Sequence, residues 1–445
     1  MDYKAEYKAK LTTAEEAVKL VKSGDWVDYS TNMGFPVLLD KALAERKDEL
    51  YDVKVRGLIF LERMEILECD PTGEHFIYNS FHMNSAERKY CDRGLCYFIP
   101  MLYRNLPSIY RNYCEVNVAF MAVPPMDEDG YFNFSINGAN ARAVFDVADK
   151  IVLEINENLP KVYGTKSQRV HISEVSAIVE GEHGPLHDIP SLEPTEVDYK
   201  IADYIVSRIS DGACIQLGVG GMPEVIGKQI ALSNLKNLGC HSELVVTAHY
   251  DMYKAGKLTN QNKSGEFKGK SVYGLAYGSS EMYEWLRENP DCVSAPIDYV
   301  NNPRVISEID NFVSINNCIG IDLYGQVSSE SAGHRHISGT GGQLDFLDGA
   351  YSCPNGQSFI CFSSTFTDKK GVMHSRINPE FKGDIITDPR SQAQYFVTEY
   401  GIENMAGCAT WQRAEKIIGL AHPDFREELI KSAEEYGIWR RSNKR

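Results

Sequence analysis

The chain has 445 residues, more than a single hydrophobic core usually serves, so two domains are expected. Hydrophobic residues make up 43% and charged residues 24%, the balance of a globular protein, and no apolar run approaches the roughly 18 residues that span a bilayer. The formal net charge of −16 argues against nucleic acid as a partner. It also means that a polyanionic ligand has to be held by local amide dipoles and a few placed cations.

The N-terminal stretch is charged and amphipathic, without the apolar core of a signal peptide, and this predicts a cytoplasmic location. A helical pattern runs from Ala14 to Lys22. Apolar, β-branched runs predict strands at Val116–Val123 and Lys150–Ile155. Between Glu180 and Glu196 the prolines Pro185, Pro190 and Pro194 stand among glycines and acids, and this predicts an interdomain linker, with domains over 1–190 and 191–445.

The two sides of that linker resemble each other. A helix leads into Ser23-Gly24-Asp25, a strand and Met33-Gly34-Phe35-Pro36; later a helix leads into Asp211-Gly212-Ala213, a strand and Gly221-Met222-Pro223. Asp127-Glu-Asp-Gly130 and Asp322-Leu-Tyr-Gly325 recur at a similar offset. Strands alternating with helices, twice over, predict two tandem, similar open α/β domains with mainly parallel sheets.

Ile215-Gln-Leu-Gly218-Val-Gly220-Gly221-Met222-Pro223-Glu224 reads as a strand, a glycine turn and a helix start. Such a turn lets backbone approach a ligand and offers unpaired N–H groups to an anion, but it is equally a tight turn with no ligand. A dinucleotide site is the rival, with Glu243 near the spacing of a ribose-binding acid and Pro223 where that motif needs its third glycine. Glu243 itself lies in the strand pattern Gly239–Val246; most carboxylates in such places are caps, ion-pair partners or edge residues. Ile337-Ser-Gly339-Thr-Gly341-Gly342-Gln343 is bounded by apolar residues, which predicts a packed turn with backbone close to a ligand or to another residue. A strand at Phe359–Phe362 and a helix over Phe425–Tyr436, stopped by Gly437, complete the pattern.

The eleven cysteines form no CxxC pair and are expected to be free thiols. The histidines show no metal-ligand spacing, His334-Arg335-His336 included, so no metal is expected.

Taken in order, GVGGMPEV at 218–225, His241-Ser242-Glu243 and Ser338-Gly-Thr-Gly-Gly-Gln-Leu-Asp-Phe346 resemble the acetyl-CoA hydrolase/transferase branch of the family I CoA-transferases. Pro124–Asn133, Pro296-Ile-Asp-Tyr299, Val397–Gly401 and Ala421–Arg426 agree, so the likeness covers the whole chain. Tyr78–Met83 and Ile438–Ser442 look most like the butyryl-CoA:acetate type, with the 4-hydroxybutyrate type next.

The resemblance implies CoA transfer from a short-chain acyl-CoA to acetate by ping-pong kinetics, or hydrolysis with water as acceptor. It implies Glu243 as nucleophile and a glutamyl-CoA thioester. It places CoA contacts at Gly220, Gly221, Met222, Pro223, Glu224, Ile319 and Gly342, with backbone N–H groups of 339–343 suited to an oxyanion. Coenzyme A is then substrate and covalent intermediate, with no tightly bound cofactor. Acyl-CoA and short-chain carboxylates are the partners, and an assembly of identical chains, dimer or higher, is expected.

Overall fold

The protein is described by a computed structural model covering residues 2–189 and 193–442. The expected boundary after residue 190, with Pro190, lies outside the described residues. Contacts divide the chain into two compact units: residues 1–189 with Val272–Val300, and Pro190–Ser271 with Asn301–Arg445.

The first unit is built on an all-parallel sheet. Its strands are β1 (Leu11–Thr12), β2 (Trp26–Thr31), β3 (Val53–Leu58), β4 (Phe76–Ser80), β5 (Cys96–Phe98), β6 (Val116–Val123), β7 (Ala148–Ile155) and β8 (Ala177–Glu180). They lie in the order β1-β8-β7-β6-β2-β3-β4-β5. Strands covered on both faces read as continuous apolar runs, and β6 buries every residue but Asn117. The helix expected over Ala14–Lys22 is shorter, a helical turn at Ala14–Ala17 running into a 3-10 turn at Val18–Leu20.

The single sequence boundary left Val272–Val300 in the second half, whereas contacts assign it to the first unit. Long-range bonds explain this: Asn32 Nδ2 donates to Ala276 O at 2.9 Å, Ser294 Oγ to Gln168 Oε1 at 3.1 Å and Ile297 N to Ala139 O at 2.8 Å.

In the second unit, β9 (Cys214–Leu217), β10 (Gly239–Val245), β11 (Phe312–Asn317), β12 (Gln357–Cys361) and β13 (Tyr395–Thr398) lie parallel in the order β10-β9-β11-β12-β13, and β14 (Gly401–Asn404) pairs antiparallel with β13. The helices that matter to the site are α1 (Gly221–Leu232), after β9, and α2 (Gln343–Ser352), before β12.

The internal likeness read from sequence is a likeness of topology. Strands β3-β2-β6-β7-β8 and β10-β9-β11-β12-β13 have the same spatial order relative to the chain, and each set reverses its direction of growth beside its earliest strand, β2 or β9. The paired Asp-x-x-Gly motifs make the same turn. Asp127 Oδ1 accepts from Asp129 N and Tyr131 N at 3.0 and 2.8 Å; Asp322 Oδ1 accepts from Tyr324 N and Gln326 N at 3.0 and 2.9 Å. Gly130 and Gly325 close these turns at φ +81° and +83°, where a side chain would be strained.

Among the described residues no helix is long and apolar enough to cross a membrane. The eleven cysteines are free, and none is fully exposed.

Candidate active site

Glu243 lies near the carboxyl end of β10, between buried Ser242 and Leu244, with its own side chain partly buried. Asn301 Nδ2 donates to Glu243 Oε2 at 2.5 Å, and the backbone N–H of Gly342 donates to the same carboxylate. No cation is paired with Glu243 among the described residues. Burial pushes its pKa up to about 7, while the Asn301 and Gly342 bonds favour the charged form and pull the other way. A carboxylate whose basicity is raised in this way is a stronger nucleophile in its ionised form than an ordinary one.

Asn301 is fully buried, and its Oδ1 has no hydrogen-bond partner among the described residues. Its neighbour Asn302 caps the helix Pro303–Ser307 by accepting from Arg304 N at 3.0 Å. The Asn-Asn-Pro signature thus reads as an ordinary helix start, so nothing local marks Asn301.

The turn at 339–342 brings its backbone close to another residue, the carboxylate of Glu243. A Cβ at Gly342 would collide with both Glu243 Oε2 and Asn301 Nδ2. Gly342 then caps α2, whose first turn carries buried Asp345.

The other glycine turn stands at the carboxyl end of β9. Gly220 caps α1 at φ +130°, and a Cβ there would meet Asn317 Nδ2 at 2.9 Å. Gln343 Nε2 donates to Asn317 O at 3.3 Å, so Asn317, at the end of β11, adjoins both glycine turns. Below it, Gln216, Ser314 and Asn316 form a closed buried set of side-chain hydrogen bonds of 2.7–3.1 Å. Open parallel sheets bind ligands at such strand ends, where the order of strands reverses.

Of the residues expected around CoA, Gly220, Gly221, Met222 and Glu224 line the start of α1 with partial or full exposure. Pro223 is buried in the helix packing. Ile319 follows β11, its N–H bonded to Ser328 O at 2.9 Å and its carbonyl to Arg376 Nη1 at 3.0 Å.

The family models for the acetyl-CoA hydrolase/transferase N-terminal and C-terminal domains match residues 1–190 and 278–433. The chain is 50% identical, over 100% of both sequences, to a protein of Anaerostipes caccae named butyryl-CoA:acetate CoA-transferase. The chain belongs to the acetyl-CoA hydrolase/transferase family. Within this family it is also 34% identical to the 4-hydroxybutyrate coenzyme A transferase of Clostridium kluyveri, over 97% of this chain and 98% of that one. Among solved structures it is similar to RipA from Yersinia pestis, with a TM-score of 0.90 and 34% identity over 98% of this chain and 100% of that one. The 4-hydroxybutyrate CoA-transferase of Porphyromonas gingivalis has a TM-score of 0.78 and 28% identity over the same shares.

Proposed function

We propose that this family member moves CoA from butyryl-CoA to acetate, with Glu243 as the nucleophile. The arrangement of Glu243 between the Asn301 amide and the Gly342 N–H carries the reading, and the 50% identical butyryl-CoA:acetate CoA-transferase supports the choice of substrates.

In the first half, the Glu243 carboxylate attacks the thioester carbonyl, the C–S bond breaks, and a mixed anhydride and CoA thiolate form. The thiolate adds to Glu243 Cδ, butyrate leaves, and a glutamyl-CoA thioester remains. Acetate reverses the sequence: it attacks the thioester, and the returning thiolate takes the acetyl group from the second anhydride. Acetyl-CoA departs and the carboxylate is restored. No ATP, redox step or metal is needed, because each step exchanges one activated acyl bond for another.

When the thiolate adds to Cδ, a glutamyl oxygen gains a full charge. Asn301 and Gly342 already aim donors at that carboxylate, so the stabilisation needs little reorganisation.

The test is direct. Purified protein given butyryl-CoA and acetate should yield acetyl-CoA and butyrate in equal amounts. Preincubation with butyryl-CoA alone should make it sensitive to borohydride, which reduces the enzyme thioester. CoA release that ignores acetate, or equal borohydride loss with and without butyryl-CoA, would overturn the reading.

A further inference from the structure

The 339–342 turn meets Glu243 at one end and a buried carboxylate at its middle. Glu330, 3% exposed, accepts from Thr340 Oγ1 at Oε2 and from Thr387 Oγ1 at Oε1, both at 3.1 Å. Its carbonyl accepts from Ile337 N at 2.8 Å, just before the turn. The residues alongside complete the attachment: Ser338 Oγ donates to Ser329 O and Ser329 N to Thr387 Oγ1, both at 2.9 Å. Thr387 is in turn fixed to the short strand Val327–Ser328 through its N–H to Val327 O at 2.8 Å.

We infer that Glu330 is a positioning residue for the nucleophile: it holds the 339–342 turn through Thr340 and so sets where the Gly342 N–H meets Glu243. The inference rests on the reading of Glu243 as nucleophile.

Three features favour positioning over plain stability. First, the turn needs an external tether, because its three glycines supply no side chains, and Thr340 is its one residue with a polar group to hold. Second, Glu330 has no cation paired with it among the described residues; an acid so buried is a costly way to stabilise a fold, and two hydroxyl bonds offset that cost only in part. Asp388, whose carboxyl oxygens are buried without hydrogen-bond partners among the described residues, feels repulsion from Glu330, so the acid burdens its surroundings as well. Third, a carboxylate accepts from both hydroxyls at once. The Thr387 hydroxyl already accepts from Ser329 N, so its proton is directed to Glu330. The clamp therefore has one hydrogen-bond arrangement, which gives the turn one position.

The experiment compares Thr340→Val, Glu330→Asp and Glu330→Gln in the full-length protein, with Glu243→Gln in the same assays. Thr340 is only partly buried, so Thr340→Val should fold, with a modest fall in melting temperature from the hydroxyl bond that Glu330 loses. Its kcat should fall about tenfold to a hundredfold, the scale of a misplaced reacting group. The KM for butyryl-CoA should stay within about twofold if turnover rather than binding is affected. The acid limb of kcat/KM should move to higher pH, as the Gly342 bond to the charged Glu243 weakens.

Glu330→Asp, too short to reach both hydroxyls, should behave alike. Glu330→Gln should recover most of the turnover, since its amide spans the same distance, accepts from Thr387 and donates to Thr340. Parental kcat and acid limb in Thr340→Val overturn the positioning role, as does a loss of melting temperature with unchanged kinetics. If Glu243→Gln is dead while Thr340→Val is parental, only this inference falls. If Glu243→Gln turns over, the nucleophile reading falls as well.

Discussion

The Asn301 amide nitrogen lies 2.5 Å from Glu243 Oε2, and among the described residues neutral donors alone hold that carboxylate. In a chain with a net charge of −16, a cation beside Glu243 would draw the carboxylate's pKa down and blunt its nucleophilicity. Amide donors stabilise the anion more gently and leave its pKa raised.

Asn301→Ala should therefore shift the pH profile. Removing a donor that favours the charged form raises the Glu243 pKa above about 7. A hydrogen bond to a charged group is worth about 1.5–3 kcal/mol, so the acid limb of kcat/KM should move up by about one pH unit or more. Profiles of the two proteins measured with saturating acetate would show it. Superimposable limbs would mean that the amide does not control ionisation.

Glu243→Gln keeps shape and removes the charge. Transfer should fall to background because an amide forms no anhydride, while the melting temperature should hold or rise once a buried carboxylate is gone. The measurement needs freshly prepared protein with deamidation checked by mass; near-parental turnover would remove Glu243 from its role.

Gly342→Ala tests the close approach. The new Cβ has to displace Glu243 or Asn301, so turnover should drop by about tenfold or more, the scale of a disturbed oxyanion contact. Because the φ of Gly342 is −105°, alanine suffers no left-handed strain, and the melting temperature should change little by that route. Unaltered steady-state kinetics would make the turn a structural one.

Stability should depend on pH through buried acids. Burial pushes Asp388 up to about 8, with Glu330 and Asp345 adding repulsion; Asp40, Glu87 and Glu154 are pushed up to about 7. A raised folded-state pKa means that the fold holds protons more tightly than the unfolded chain. That stabilisation is complete below the ordinary carboxyl range and is lost as pH rises through the folded value. For Asp388 the loss runs from about 4 to about 8. Asp388→Asn should thus melt closer to the parent at pH 6 and above it at pH 9. Parallel melting curves at both pH values would contradict the shift.

How far the sequence could be read depended on the range of the interactions. Val116–Val123 is a strand from end to end because a parallel strand buried on both faces needs apolar residues at every turn of the pleat. The Asp-x-x-Gly turns and the Gly437 cap are local, so their residues announce them. The excursion of Val272–Val300 into the first unit rests on bonds to residues 32, 139 and 168, which leave no trace in its own composition. Glu243 stood out only by resemblance, since one acid in a strand is usually structural. Asn301 was invisible for a similar reason, since its partner Glu243 lies 58 residues away; Glu330 meets Thr340 only ten residues on, but an acid with no motif around it reads as a surface residue.

The first sheet has a consequence for how the protein is made. Its first strand, Leu11–Thr12, pairs with Ile178 and Val179, and every other pairing in that sheet is parallel, so no hairpin can nucleate it. A ribosome releases the opening strand long before its partner exists. Refolding from denaturant should be slow for the same reason, with unpaired edges exposed to neighbouring chains while they wait. Synthesis in order from the N-terminus, with the edge strand closing last, is the route that this topology favours.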